Sequence, residues 1–534
     1  MRRAPTGFLW SQLYQFWLFG SGFLLTQVVA RGVSPQEYGV YAIALTAFNT
    51  ASYLAAFGLE EAATIWVPRA LTEHGRGQAG SVIRRLLGVR LLFLLATCVV
   101  MLALLPVLPS WLNQLSLPGA GHIAGVLNDP ALQSHLAPLA LYVAGNGLVN
   151  LLFVVFTALL RTRVTLVVSG LSQAANLALV WLLLRLGWGV DGALWALGAV
   201  SWLTATAYFF WLAPLLLRRP PHQVISLRPA LRLSIAAWLT NLANGALLKQ
   251  VAIWLLIFYL SGETQGVRDT KIGFFNLAFQ LGHSAGLLLV AGLSFVGMAT
   301  MAASYTDENR SWLATSWRAV LKVQTLLSLP LLVFSLLNAR AIVALLFGHQ
   351  YDGVGPLLQL FLAFNILTRI AGGGTHQGAL YVLGKQRFVV VLQWSSLGLT
   401  ALLGIVLIPN FGPMGALIAT GLPPVLVELA QLAYVWPSLN RRYPLRFVAR
   451  YALALSAPVA VGLAWHPQGL LGLVAAGCLF TALLVGALLL VKPLEAEDAA
   501  LLGKADSWLR AALMAFIRKS TLPTTDMTPS GSRS

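Results

Sequence analysis

Gly187-Trp188-Gly189-Val190-Asp191-Gly192-Ala193-Leu194-Trp195-Ala196-Leu197-Gly198 returns 223 positions later as Asn410-Phe411-Gly412-Pro413-Met414-Gly415-Ala416-Leu417-Ile418-Ala419-Thr420-Gly421. Six positions are identical: two turn glycines, an Ala-Leu pair, a further alanine and a further glycine. Each copy closes one apolar run and opens the next. Each is also preceded by a basic turn, Arg161-Thr162-Arg163 and Lys385-Gln386-Arg387. A helical hairpin that recurs at this distance predicts a duplicated, membrane-embedded helical chain.

Composition agrees. Of 534 residues, 58% are hydrophobic and 10% charged, and the mean hydropathy is +0.77. Soluble domains carry roughly a quarter charged residues, so a soluble multidomain protein is excluded. Runs of about 20 apolar residues are needed to cross a bilayer as helix. Fourteen are read: Phe8–Ala30, Glu37–Leu59, Leu86–Leu108, Leu136–Leu160, Val164–Leu186, Gly192–Leu217, Leu233–Leu260, Ile272–Met298, Val323–Leu346, Val354–Leu383, Phe388–Ile408, Pro413–Leu439, Phe447–Trp465 and Gly469–Val491. Six runs separate the two copies, and an even number preserves orientation, so the repeats are parallel.

The expected fold is an all-α polytopic membrane protein of about 14 transmembrane helices. Two parallel-repeat six-helix lobes surround a central cavity, with two extra C-terminal helices. Residues 1–217 form the first lobe, 218–232 a cytoplasmic linker, 233–440 the second lobe and 441–491 the extra pair. Residues 492–534 form a cytoplasmic tail. In that tail Leu501, Leu502, Ala505, Trp508, Leu509, Leu513 and Phe516 recur at helical spacing among basic residues, the pattern of an interfacial amphipathic helix. Ser520–Ser534 reads as disordered.

The 35 Lys+Arg exceed the 17 Asp+Glu by 18. Cytoplasmic loops retain such cations. With both termini cytoplasmic, 27 of the 35 fall on inner segments, five on outer segments, and Arg90, Lys249 and Arg369 lie within spans. This spread over every inner loop speaks against nucleic-acid binding, which concentrates charge on one face. Cys98 and Cys478 both lie in apolar runs, which leaves no disulfide framework or cysteine metal cluster. No metal or cofactor is expected. Behind Met1-Arg2-Arg3 the apolar stretch is span-length and lacks a cleavage pattern, so no signal peptide is read.

Uncharged polar side chains in lipid are costly unless paired or wetted. In span 8, Asn276, Gln280 and His283 share one helix face. At an offset of 234 their counterparts in span 2 are Ala42, Thr46 and Asn49, continued by Tyr53. Span 1 offers Gln12, Gln15 and Thr26, and span 7 offers Asn241 and Asn244 at an offset of 229 from the two glutamines. Interhelical hydrogen bonding explains such faces; recurrence in both repeats favours the lining of one hydrated cavity.

Ala30-Arg31-Gly32-Val33-Ser34-Pro35-Gln36-Glu37-Tyr38-Gly39-Val40-Tyr41-Ala42 resembles the R-x-L-x-P-x-E-Y-G-x-Y start of span 2 in bacterial polysaccharide-biosynthesis exporters. Leu346-Phe347-Gly348-His349-Gln350-Tyr351 is similar to their L-F-G-x-x-Y, Leu383-Gly384-Lys385 to a G-K turn, and Leu407–Ala416 to an L-I-P-x-F-G-x-x-G-A hairpin. On these motifs the chain resembles Wzx-type oligosaccharide flippases of the multidrug/oligosaccharidyl-lipid/polysaccharide exporter superfamily over roughly residues 8–440. The resemblance implies an inner-membrane transporter, not an enzyme. Its implied task is moving an undecaprenyl-pyrophosphate-linked oligosaccharide to the periplasmic leaflet by alternating access. Membrane lipids, and a polysaccharide polymerase or glycosyltransferases, are the implied partners.

Within this reading Lys249 is the expected counter-charge for the pyrophosphate, since an ionised lysine at mid-span usually marks function. Arg369, followed by Gly372-Gly373-Gly374 and His376, offers a fork for phosphate oxygens or pairs with Glu428. Arg90 either snorkels or meets substrate, and Arg31 stands at the outer mouth. Asn49, Gln12, Gln15, Asn241, Asn244, Asn276, Gln280 and His283 complete the expected substrate-binding set. Glu428, read as the only carboxylate buried in a span, and His283 are candidates for ion coupling; Glu428 otherwise neutralises Arg369. The outer acids Asp129, Asp191, Glu263, Asp269 and Asp352 read as scattered.

Three alternatives remain. A lipid II flippase would place several charges in its first two spans, whereas Phe8–Ala30 has none. A multidrug/cation antiporter usually ends at twelve spans and needs an intramembrane carboxylate in a lobe cavity. A polysaccharide polymerase or lipid-sugar glycosyltransferase would carry a large outer loop with acidic or arginine residues; Pro109–His135 has one acid and no Lys or Arg.

Overall fold

The computed structural model describes residues 4–114, 120–159, 161–217, 247–287, 310–439 and 443–494, with positions 234–235, 238–239, 242 and 301. The tail expected to be amphipathic lies outside the described residues. In chain order the helices of the first half are α1 (Ala4–Gly32), α2 (Pro35–Ala56), α3 (Leu59–Val99), α4 (Leu108–Gln114), α5 (Ala120–Leu127), α6 (Pro130–Gln133), α7 (Leu136–Ala158), α8 (Thr162–Arg185) and α9 (Gly189–Leu216). Then come α10 (Leu248–Tyr259), α11 (Gln265–Leu287), α12 (Arg310–Leu337), α13 (Ala339–Phe347), α14 (Val354–Ala371), α15 (Thr375–Val382), α16 (Gln386–Phe411) and α17 (Pro413–Val435). The last pair is α18 (Leu445–Ala464) and α19 (Gly469–Val491).

The protein is an all-helical, multi-pass membrane protein. Where the expected runs fall on described residues they are helical, and two of them, Val323–Leu346 and Val354–Leu383, are each divided between two helices. Among the described residues ten helices are long and apolar enough to cross a membrane, or eleven if one bent pair counts as a single span. The helix α10, at 12 residues, is apolar but short.

The bent pair corrects the expected inner loop between Leu59 and Leu86. Apolar-run counting stops at Glu60-Glu61 and resumes after Arg84-Arg85, yet the backbone stays helical through both. Phe57 (φ 50°) and Gly58 (φ 66°) adopt left-handed conformations, and the chain bends by 42° between Pro35–Ala56 and Leu59–Glu73. Gly75 (φ 77°) supplies a second break, after which the next span runs Gly75–Leu104. Helix propagation adds one hydrogen bond per residue fixed, so charged residues do not end a helix that projects beyond the apolar slab. The segment Pro109–His135, also expected as loop, folds into α4, α5 and α6.

Local signals place the start of α2. Ser34 accepts from the Glu37 amide while the Glu37 carboxylate accepts from the Ser34 amide at 2.8 Å, with Pro35 in the first turn. This reciprocal cap satisfies two otherwise orphaned donors, and proline loses nothing there.

The sequence duplication extends to packing. Both copies form hairpin turns, α8 to α9 and α16 to α17, with left-handed glycines Gly189 (φ 55°) and Gly412 (φ 52°) at equivalent places. Gly198 abuts Leu141 of α7, and Gly421 abuts Phe364 of α14. Leu141 and Phe364 are themselves 223 positions apart. In the first half α7 packs on α3 and α9, and α8 on α9 and α1; in the second, α17 packs on α16 and α14, and α14 on α11 and α12. The pair α18–α19 leans on α12.

The halves meet closely where α2 crosses α11. A Cβ on Gly39 would stand 1.8 Å from the Asp269 carbonyl oxygen, and one on Gly273 would stand 3.0 Å from the Gly39 nitrogen. Gly39 and Gly273 are separated by the same 234 positions that relate the polar faces of spans 2 and 8, so repeat-equivalent glycines touch each other. Gly39→Ala forces backbone apart, because no side-chain rotation relieves a clash with a carbonyl. It should cost about 1–3 kcal/mol, the usual range for overpacking. A lower melting temperature, with new thiol reactivity of an Ala42→Cys reporter in a chain lacking Cys98 and Cys478, is the expected result. Unchanged melting and a protected reporter would show that the crossing tolerates separation.

Candidate functional site

Much of the polar face of α11 is occupied by interhelical bonds. Asn276, buried, donates to the Tyr38 hydroxyl of α2 at 3.0 Å. Gln280 donates to Thr26 Oγ1 of α1 at 2.6 Å. Both residues, expected to line a cavity, tie α11 to the first two helices, and Gln280 remains half-buried. His283, the third member of the stripe, is exposed. On α2, Asn49 is half-buried, while Thr50 accepts a bond from Trp254 of α10 at 3.1 Å. Gln12, Gln15, Asn241 and Asn244 lie outside the described residues and side chains.

Lys249, in the first turn of α10, is half-buried. Its Nζ stands 5.8 Å from the centroid of the Phe279 ring. Among the described residues no carboxylate lies within ion-pair distance of it. A cation over an aromatic face gains ~0.5–2 kcal/mol, whereas a lysine at the centre of a membrane helix costs ~2.5 kcal/mol or more. The ring therefore leaves the charge only partly compensated.

The other expected cations are committed to the protein. Arg90 is 1% exposed and donates to the carbonyls of Ala55 (2.7 Å) and Gly147 (3.0 Å) and to Glu60 Oε1 (3.0 Å). Buried rather than snorkelling, it clamps the bend between α2 and α3 to α7. Glu60, which pairs with it, is half-buried. Arg31 donates to the Leu346 (2.7 Å) and Leu345 (2.5 Å) carbonyls. These are last-turn groups of α13, where a cation also meets the negative helix end.

Arg369 and Glu428 meet at the interruption of span 10. Gly372, Gly373 and Gly374 all have positive φ (151°, 54° and 87°) and separate α14 from α15. Arg369 donates to the Gly373 (3.1 Å) and Gly286 (3.0 Å) carbonyls, and Glu428 Oε1 accepts from the Gly374 amide at 2.7 Å. The expected direct pair is therefore replaced by two separate grips on one break. His376 is fully buried between the Ala371 carbonyl (2.7 Å) and the Trp317 indole (3.1 Å). Tyr443 donates to the Ile370 carbonyl at 2.5 Å. Burial, with Glu428 nearby, pushes its phenol up to about 12, so it remains a neutral donor.

The outer acids are not scattered. Arg268 bridges Asp129 (2.8 Å) and Asp269 (2.8 Å), both almost wholly buried. Asp129 also caps α6, so this arginine joins the α5–α6 segment of the first half to the start of α11. Nearby, Tyr351 donates to the Ala30 carbonyl at 2.9 Å, and Lys271 pairs with Glu263 at 2.5 Å. This end of the bundle is closed by contacts between the two halves. Sequence reading missed them because partners such as Tyr351 and Ala30 lie 321 positions apart. The repeat-equivalent glycines were the available signal.

A family model described as polysaccharide biosynthesis protein matches residues 28–356. No curated protein sequence matches the chain. Among solved structures the chain is similar to the lipid II flippase MurJ in an inward closed conformation (TM-score 0.63, 14% identity, covering 89% of this chain and 97% of that one). It is also similar to a multidrug resistance MATE family transporter of the MOP superfamily in its inward-facing form (TM-score 0.58, 17% identity, 79% and 94% covered). An outward-facing MATE structure aligns with a TM-score of 0.51 at 17% identity, covering 81% of this chain and 95% of that one. At these identities the likeness is one of fold.

Proposed function

Because the chain belongs to the polysaccharide biosynthesis protein family, we propose that it is a flippase carrying a polyprenyl-pyrophosphate-linked oligosaccharide across the bacterial inner membrane. The observation that carries this reading is Lys249, a half-buried intramembrane cation with an aromatic face beside it and no acidic partner among the described residues. An anionic head group passing between the halves supplies the missing counter-charge, while its polyprenyl tail stays in hydrocarbon.

In this proposal the chain forms two parallel six-helix lobes with α18 and α19 as an appendix, and both termini are cytoplasmic. The interlobe contacts of Gly39, Arg268, Arg31 and Tyr351 then close the periplasmic side. Transport requires these contacts to part while the cytoplasmic side closes. Asn49 and His283 join Lys249 as substrate-facing groups. Arg31, Arg90 and Arg369 hold helices in place, and Glu428 secures the span 10 break rather than coupling an ion.

The test is movement in reconstituted vesicles. Undecaprenyl-pyrophosphate-linked oligosaccharide placed in one leaflet should become accessible to a glycan-cleaving enzyme on the other side only when the protein is present. Elongation of the glycan without movement would point to a polymerase. Export of cationic drugs without lipid movement would point to an antiporter.

A further inference from the structure

Lys249 stands beside Phe279, the middle one of three rings in graded exposure. Phe361 of α14 is buried, Phe279 of α11 is half-buried and His283, one turn further along α11, is exposed. Phe279 stacks on Phe361 with centroids 4.8 Å apart and on His283 at 5.8 Å, the latter nearly parallel at 15°. Gly282 makes the arrangement possible, since a Cβ there would stand 2.5 Å from Phe361 Cδ1. The half-buried carboxamide of Asn365 lies against Gly282 and Gly286 on the same seam.

A buried aromatic pair needs no exposed third ring to pack two helices. A stack of rings that rises from the core and ends in an open imidazole, with a cation at its flank, suits a ligand of two parts. Sugars present patches of polarised C–H bonds that lie against the negative face of an aromatic ring, and their hydroxyls take hydrogen bonds from amides at the edge. A phosphate needs the cation.

We infer that the His283–Phe279 ring surface seats the sugar unit adjacent to the pyrophosphate, with Lys249 holding the phosphate and Asn365 at the sugar's rim. This rests on the flippase reading and adds to it a division of labour: Lys249 recognises the charge common to all such lipids, and the rings recognise the presence of a sugar.

The test compares two probes on the purified full chain: undecaprenyl pyrophosphate, and the same lipid bearing one N-acetylhexosamine. His283→Leu should weaken binding of the sugar-bearing probe about three- to tenfold and the bare probe clearly less; Phe279→Leu, whose ring also flanks Lys249, should shift both probes, the sugar-bearing one by the larger factor. His283→Phe should keep the sugar-bearing affinity, because it preserves the ring and discards the titratable group. Melting temperatures near that of the unaltered chain exclude unfolding as the cause. Equal losses for both probes, or none for either, would overturn the sugar seat. Failure of the unaltered chain to bind either probe would instead overturn the flippase reading.

Discussion

Lys249→Ala should slow movement of lipid-linked oligosaccharide at least about tenfold while leaving membrane insertion intact. A hydrogen bond to a charged group contributes about 1.5–3 kcal/mol, and 1.4 kcal/mol is a factor of ten in rate. The sign of the stability change is equally informative. Among the described residues the ammonium has only the Phe279 ring as compensation, so its removal relieves a desolvation cost, and the variant should melt no lower than the unaltered protein. Lys249→Arg should keep much of the rate and Lys249→Met should lose it as fully as alanine does, separating charge from packing. Unchanged transport in the alanine variant would remove the observation on which the proposed function rests. A marked drop in melting temperature would show that the lysine is a structural partner.

Arg90→Ala should have the opposite profile: a large loss of stability from a residue bound on all sides by the protein itself. Three acceptors depend on this one side chain, the Ala55 and Gly147 carbonyls and the Glu60 carboxylate. Removing one partner of a buried ion pair costs about 3–5 kcal/mol because the other charge is left uncompensated. Glu60 keeps 19% of its side-chain surface exposed, which places the expected loss toward the lower end of that range. Thermal unfolding of detergent-solubilised protein, followed by size-exclusion, measures it. Glu60→Leu combined with Arg90→Met should recover part of the loss, since an apolar pair of similar volume replaces a charged one without orphans. If Arg90→Ala melts like the unaltered chain, the clamp at the α2–α3 bend does not hold the first half together.

These two arginine and lysine positions show how far the sequence reaches. Both were legible as intramembrane cations, and nothing in their neighbours in the chain distinguishes them. Arg90 stands among leucines and valines after a basic inner segment, and Lys249 follows a leucine pair. What separates them is where the acceptors lie. Arg90 finds carbonyls freed by a bend at Phe57-Gly58 and the close approach of α7 at Gly147, whereas Lys249 finds a ring. The same holds for the polar stripe of α11. Its periodicity located Asn276, Gln280 and His283 on one face, but only the packed partners Tyr38 and Thr26 reveal that two of the three are already satisfied.

The sequence alone determined the all-helical, multi-pass class, the internal repeat of the hairpin motif and the family, while of its fourteen expected spans ten or eleven are long and apolar enough among the described residues. Each depends on short-range properties: apolar runs long enough to cross hydrocarbon, glycine turns, a Ser34–Glu37 cap, and motifs that repeat at fixed offsets. It missed the helical continuation through Glu60 and Arg84 because charge ends an apolar run without ending a helix. The tertiary structure decided which polar groups are spent and which are free. A buried cation or amide is satisfied by backbone and side-chain acceptors from helices tens to hundreds of residues away, and their positions follow from helix packing, which no local pattern encodes.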